Sequence, residues 1–240
     1  MTKLKSRALC TTPEWIGRAD CKHCSIRHMM LFSDLQDSDL DHILEPIYNF
    51  RYAEMSQLYN QGDKDNKIYS IRRGFVKLVQ TKSDGSLRIV RLLGPGALVG
   101  LEALLNKPYR HTVIALNELD VCRINTATLI KLEKEKPWLN EKVMAHWEQQ
   151  LLFADRWISE LSSGNIRSRT LKLFSFLLEL SGDNSNIIRF FGYEDMASMI
   201  GTSRETFSRV VSELKNEGVI SKTEESQTYR FSLKEKYKLD

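Results

Sequence analysis

The 240-residue sequence has no stretch approaching the roughly 20 consecutive apolar residues that a membrane-spanning helix needs. No membrane partner is expected. Its basic start, Met1-Thr2-Lys3-Leu4-Lys5-Ser6-Arg7, is not followed by an apolar h-region. A secretory signal is therefore not expected, and the reading places the protein in the cytoplasm. There is little charge of one sign: 35 Lys and Arg stand against 31 Asp and Glu, a net +4 that is too weak to argue for nucleic acid by itself. No internal repeat or low-complexity segment is present. There is no P-loop, no Ser/His/Asp set with supporting context and no paired-carboxylate site, so an enzyme is not expected. Cysteine is sparse, with four residues, and in a cytosolic chain disulfides are not expected because thiols there are kept reduced.

The composition is that of a globular protein, 42% apolar and 28% charged, long enough for one large or two modest domains. Three regions differ in period. Between about Phe32 and Ile124, short apolar runs alternate with glycines at Gly62, Gly74, Gly85, Gly94, Gly96 and Gly100. This pattern predicts an antiparallel barrel or sandwich. Asp84-Gly85 between two such runs predicts a hairpin with a type I′ turn. From about Pro137 to Ser163 the period becomes helical. Met144, Trp147, Leu151, Ala154, Ile158 and Leu161 are spaced 3, 4, 3, 4 and 3. That is an a/d seam on a helix about 40 Å long. Leu152, Phe153 and Trp157 add a second apolar flank, so one helix can cover its own domain and a partner. A dimer interface on these seam residues is expected, with a helix packed within one chain as the alternative.

The remainder is a compact helical module with a β tail. Helices are expected over Leu171–Leu180, Glu194–Ile200 and Ser203–Asn216, followed by a small hairpin from Val219-Ile220 and Thr228–Leu233. Ala197 is small where two helices meet, and Gly201 suits the tight turn between them. Ile200, Phe207, Val210 and Leu214 supply the apolar faces, and Ser203 is a good N-cap. The next helix then exposes Arg204, Glu205, Thr206, Ser208 and Arg209. Arg204 and Arg209 can each donate two hydrogen bonds to guanine, and Glu205 can accept from cytosine. Ser203, Thr206 and Ser208 can bind phosphate or bases. A solvated helix with an i,i+4 Glu205–Arg209 ion pair is the bland alternative. The combined spacing points to a DNA-binding helix-turn-helix.

The order of barrel, seam helix and winged helix-turn-helix resembles the Crp/Fnr superfamily of bacterial transcription regulators over nearly the full length. The residues that carry the likeness are Gly62 with Ile68 to Leu78, the block Gly96 to Leu104, and Ser203-Arg204-Glu205-Thr206-Phe207-Ser208-Arg209. The resemblance implies an α+β fold: residues 1–31 a cysteine-containing segment, 32–136 a β-roll sensor, 137–163 a dimerisation helix, and 164–240 a winged helix-turn-helix. It further implies a homodimer on an inverted-repeat operator in double-stranded DNA, and contact with RNA polymerase. The cyclic-nucleotide branch holds its ligand with a glycine-glutamate-leucine block and an arginine-serine pair. Here Gly100 is followed by Leu101-Glu102, and Arg110 is followed by His111. Cyclic nucleotide binding is therefore the runner-up, kept open by Glu102 and Arg110.

Cys21-Lys22-His23-Cys24-Ser25-Ile26 is similar to the C-x-x-C-S-I segment of the oxygen-sensing Fnr branch, and Cys122 matches that branch's distant ligand. Where the branch has a further cysteine, this chain has Met30, and Cys10 lies upstream instead. The resemblance implies a [4Fe–4S] cluster ligated by Cys10, Cys21, Cys24 and Cys122, with soft thiolates suited to it. Other readings remain. Zinc could be held by the C-x-x-C with His28 and Cys10, haem by a cysteine or histidine, and Cys21 and Cys24 could be a thiol switch. Cys122 could be a small core residue.

Overall fold

The computed structural model describes residues 12–41, 46–182 and 185–232. Strand β1 (Glu14–Arg18) and the short helix α1 (Asp37–Asp41) precede the glycine-punctuated strands. These are β2 (Tyr48–Tyr52), β3 (Gln57–Tyr59), β4 (Lys67–Arg73), β5 (Val76–Thr81), β6 (Leu87–Leu93), β7 (Leu98–Val99), β8 (Thr112–Ala115) and β9 (Leu119–Asn125). They form two antiparallel sheets, ordered β1-β2-β9-β4-β7 and β3-β8-β5-β6. Ile68, Ile71, Val76, Leu98, Val113, Leu119 and Val121 fill the space between them. Burial of such side chains contributes ~1.5–3 kcal/mol each. The mixed α+β architecture agrees with the expectation, but β1 extends a barrel sheet, so the segment before Phe32 contributes to that layer.

The expected β5–β6 hairpin forms with a different turn. Only Gly85, at φ +75°, is left-handed there, whereas a type I′ turn needs two such residues. The loop runs from Lys82 to Ser86, closed by Gly85 N–H donating to Lys82 O and Lys82 N–H donating to Ser86 O, each 2.9 Å. The Asp84 carboxylate accepts from the Ser86 N–H at 2.8 Å. That local hydrogen bond takes the place of a left-handed Asp84.

Helix α2 (Thr126–Glu135), which the sequence reading did not anticipate, starts at Asn125, whose side chain accepts from the Ala127 N–H. It leads into α3 (Trp138–Leu161), 24 residues and about 36 Å long. Leu139 and Val143 enter the barrel core; Trp157 and Leu161 enter a second core. Leu161 is 3% exposed, which corrects its assignment to an outward seam: it packs inside its own chain. Trp147 is half-buried against the barrel. Of the second flank, Phe153 and Trp157 pack inward, and Leu152 is exposed. What remains outward is a narrower stripe, Met144, Leu151 and Ile158 at intervals of seven, 56–64% exposed. No helix among the described residues is long and apolar enough to cross a membrane.

Helix α4 (Ile166–Ser181) is longer than expected because the Asn165 side chain caps it by accepting from the Ser168 N–H. Then follow β10 (Ile187–Arg189), α5 (Tyr193–Met199), α6 (Arg204–Asn216), β11 (Ile220–Lys222) and β12 (Thr228–Phe231). The wing has a third strand, with order β10-β12-β11. Phe174, Phe190, Phe207 and Phe231 build its core, which continues into Ile89 and Leu92 of the barrel.

Candidate functional site

The first candidate site joins the N-terminal turn to the middle of a sheet. After β1, an Asp20 carboxylate accepting from the His23 N–H at 3.2 Å shapes the turn that carries Cys21 and Cys24. A one-turn 3-10 helix, Arg27–Met29, follows. Cys122 sits on β9, opposite Asn49 of β2 and Ser70 of β4. Its thiol donates to Asn49 Oδ1 at 3.3 Å. Cys21, Cys24 and Cys122 line one cavity of about 30 Å³, with Arg27, Ser70 and Arg72 and apolar walls from Leu31, Phe32 and Ile47. Burial pushes the Cys122 thiol up to about 12 and raises Cys21, opposed in both by the positive charge of Arg72. Any metal bound there must displace those protons.

Three thiols thus meet across nearly a hundred residues of sequence, but they are not assembled as a ligand set. Among the described residues, no group of three or more His, Cys, Asp or Glu side chains is placed to hold a metal ion. The cavity has room for a water or two. Cys10 lies outside the described residues. His28 lines a separate cleft against α3, not the thiol cavity, and His23 pairs with Asp20 at 2.8 Å. The donor chemistry nevertheless fits an anionic, thiolate-held group. Arg27 gives Nη1 to Asp37 at 2.8 Å and Nη2 to Leu35 O, while its Nε is buried with no partner.

The second candidate site is the helix-turn-helix. Gly201, at φ +67°, makes the turn that most side chains would resist, and the Thr202 N–H donates to Ala197 O at 3.0 Å. Ser203 Oγ accepts from the Thr206 N–H at 3.2 Å, capping α6 as expected. Phe207, Val210, Val211 and Leu214 are buried; Arg204, Glu205 and Arg209 are exposed; Ser203, Thr206 and Ser208 are half-buried. The Glu205 backbone amide and the Ser203 hydroxyl hold the Glu205 carboxyl below its usual range. All six expected contact residues therefore lie in the first turns of α6 or at its cap.

Two residues that sequence reasoning missed support this module. Arg169 of α4 donates from Nη1 to Ile200 O at 2.6 Å, holding the end of α5 beside the turn. Lys77 of β5 pairs with Asp195 of α5, with both side chains buried. The only sequence signal for that pair is a lysine inside an apolar strand.

The barrel interior that could receive a cyclic nucleotide carries three tyrosines. Tyr59 stacks on Tyr109 with ring centroids 3.8 Å apart, and Tyr69 lies 5.8 Å from Tyr59. Tyr109 donates its hydroxyl to Lys67 O at 2.7 Å. Burial raises all three phenols. Among the described residues, Glu102 accepts from the Arg110 backbone N–H, at 3.3 Å.

Two family models match the chain: a cyclic nucleotide-binding domain over residues 50–136 and a Crp-like helix-turn-helix domain over residues 171–235. An anaerobic regulatory protein of Pasteurella multocida is 28% identical over 209 residues, 84% of this chain and 76% of that protein. A cyclic AMP receptor protein of Thermus thermophilus is also 28% identical, over 79% of this chain and 87% of that protein. The structure of FixK2 from Bradyrhizobium japonicum shares the fold, with a TM-score of 0.70 and 21% identity over 81% of this chain and 97% of that one. The barrel, the long helix and the capped recognition helix carry the same conclusion: the chain belongs to the Crp/Fnr superfamily and is a DNA-binding transcription regulator, not an enzyme.

Proposed function

We propose that this regulator senses oxygen or redox state through a [4Fe–4S] cluster held by Cys21, Cys24, Cys122 and Cys10, and that it controls promoters as a homodimer. One observation carries the reading: a C-x-x-C pair and a thiol about 97 residues away line the same cavity. Relatives named for anaerobic regulation support it. When bound, the cluster supplies an oxygen-labile tie between the N-terminal turn and β9. Such a tie would fix the segment that follows the cysteines. That segment is bridged to the long helix by Lys142–Asp34 at 2.5 Å, and to the end of α2 by Lys136–Asp39 at 3.0 Å. Helix α3 in turn carries Trp157 and Leu161 into the core beneath the helix-turn-helix. The exposed stripe Met144, Leu151 and Ile158, flanked by Ala154, is the surface on which two copies would pair. Two recognition helices would then meet a two-fold operator, Arg204, Glu205 and Arg209 reading bases and Ser203, Thr206 and Ser208 contacting phosphates or bases. RNA polymerase is the partner implied for promoter control.

The alternative is a regulator of the same type that binds a small effector, haem or zinc. It has less support, because Tyr59 and Tyr109 stack within the barrel core and His28 lines a separate cleft.

Protein purified without oxygen is expected to be brown, with broad absorption near about 400 nm. Cys122→Ser is expected to abolish the colour and the iron while the protein stays folded. Full iron and sulfide in that variant would overturn the reading, and zinc held by the N-terminal cysteines alone would survive the change. Cys10→Ala is expected to be as damaging as Cys21→Ala; an intact cluster there would assign the fourth ligand elsewhere.

A further inference from the structure

The thiol cavity is lined by two arginines, Arg27 and Arg72, and by one carboxylate, Asp20, which is held by His23. Arg27 has both terminal nitrogens bonded, yet its buried Nε–H has no acceptor. A buried donor left unsatisfied is costly and calls for a partner. Arg72 lines the same cavity, with no hydrogen bond or ion pair among the described residues. Its position follows from the sheet. Ser70 stands opposite Cys122 in the β4–β9 register, and Arg72, at the register shift between Ile71 and Arg73, lines the cavity with it. The next residue, Arg73, is instead paired with Glu118 and Asp120. Two arginines beside three thiols are therefore left with donors to spare.

We propose that Arg27 and Arg72 are charge-compensating residues for a thiolate-ligated anionic group in this cavity, Arg27 through its free Nε–H and Arg72 through its unpaired guanidinium. The proposal rests on the cluster reading above. A tetrathiolate cluster is a net anion, and burying it against apolar walls is costly unless positive charge and N–H donors face it. Hydrogen bonds to sulfur and nearby charge also set how readily such a group is oxidised. Removing a cation favours the oxidised form, so the group is lost faster in air.

The test compares full-length wild type, Arg72→Gln, Arg27→Lys and Arg73→Gln, all purified without oxygen. Arg27→Lys keeps the charge and a donor for Asp37 but has no Nε–H. Arg73→Gln removes a neighbouring cation that lies outside the cavity. The readouts are iron and sulfide per chain, the rate at which visible absorbance decays in air, and thermal unfolding by circular dichroism. Arg72 makes no hydrogen bond or ion pair among the described residues, so Arg72→Gln is expected to melt as wild type. It and Arg27→Lys are expected to lose absorbance roughly tenfold faster, with Arg73→Gln unchanged. Wild-type loading and decay in Arg72→Gln would overturn the proposal and leave the cluster reading standing. Equal damage from Arg73→Gln would also overturn it, by showing a general charge effect. Wild type without iron would overturn the cluster reading itself, and this proposal with it.

Discussion

The Lys77 ammonium lies 2.6 and 2.7 Å from the two carboxylate oxygens of Asp195, joining a barrel strand to the first helix of the helix-turn-helix. Their side chains are 4% and 11% exposed. A buried pair of this kind recovers its desolvation cost only while both partners are present. It is expected to fix the docking position of α5 more than to add stability.

Lys77→Met is expected to leave Asp195 buried and unpaired, at a cost of about 3–5 kcal/mol. The double variant Lys77→Met/Asp195→Leu is expected to be near wild type. Urea unfolding of the two variants checks this; equal loss in both would show that the pair is not a closed unit.

Ile158 and Leu161 lie three residues apart on α3 but face different surroundings. Ile158→Glu is expected to leave the protomer folded and split the dimer, because pairing would bury an unpaired carboxylate at several kcal/mol. Leu161→Glu is expected to destabilise the protomer itself. Sedimentation velocity separates the outcomes, and an unchanged Ile158→Glu dimer would place the interface elsewhere.

Arg209→Ala is expected to remove a bidentate guanine contact worth ~1–3 kcal/mol per half-site and to relax preference at that base pair. Half-sites are expected about one helical turn apart, roughly 10–10.5 bp centre to centre. Lys222→Ala in the exposed wing is expected to weaken all sequences alike and reduce the salt dependence. Binding titrations on specific and scrambled duplexes at several salt concentrations test both. Equal losses on the two duplexes for Arg209→Ala would make it a phosphate anchor.

Asp120 is expected to contribute acid sensitivity to the barrel. Burial raises its carboxyl, but hydrogen bonds and charge from Arg51, at 2.7 Å, and Arg73, at 3.1 Å, outweigh this and hold it below the usual 3.8. A depressed folded value means stabilisation present above the ordinary carboxylate range and lost as pH falls through the folded value. Asp120→Asn is expected to cost about 1 kcal/mol at neutral pH, since both arginines are partly exposed. Thermal unfolding should show the gap from wild type closing below about pH 4. A gap that stayed constant with pH would remove Asp120 from this role.

The helix-turn-helix was legible in the sequence because its turn, its cap and its apolar spacing are local. The Ser203 cap, the left-handed Gly201 and the spacing of Phe207, Val210 and Leu214 act within a few residues. The glycine-bounded strands were legible for the same reason. Even locally, the Asp84-Gly85 turn went another way, because a side-chain hydrogen bond competed with the backbone conformation. Helical spacing showed that α3 has an apolar seam, but not that Leu161 turns into the chain while Ile158 turns out. That depends on what α4 and the barrel place against the helix. The convergence of Cys122 with the N-terminal thiols follows from the register of β9 between β2 and β4. The Lys77–Asp195 pair closes over 118 residues. Periodicity and capping are short-range and visible in sequence; register and burial are set only when distant segments share a core, and those contacts decided the thiol cavity and the docking of the DNA-binding module.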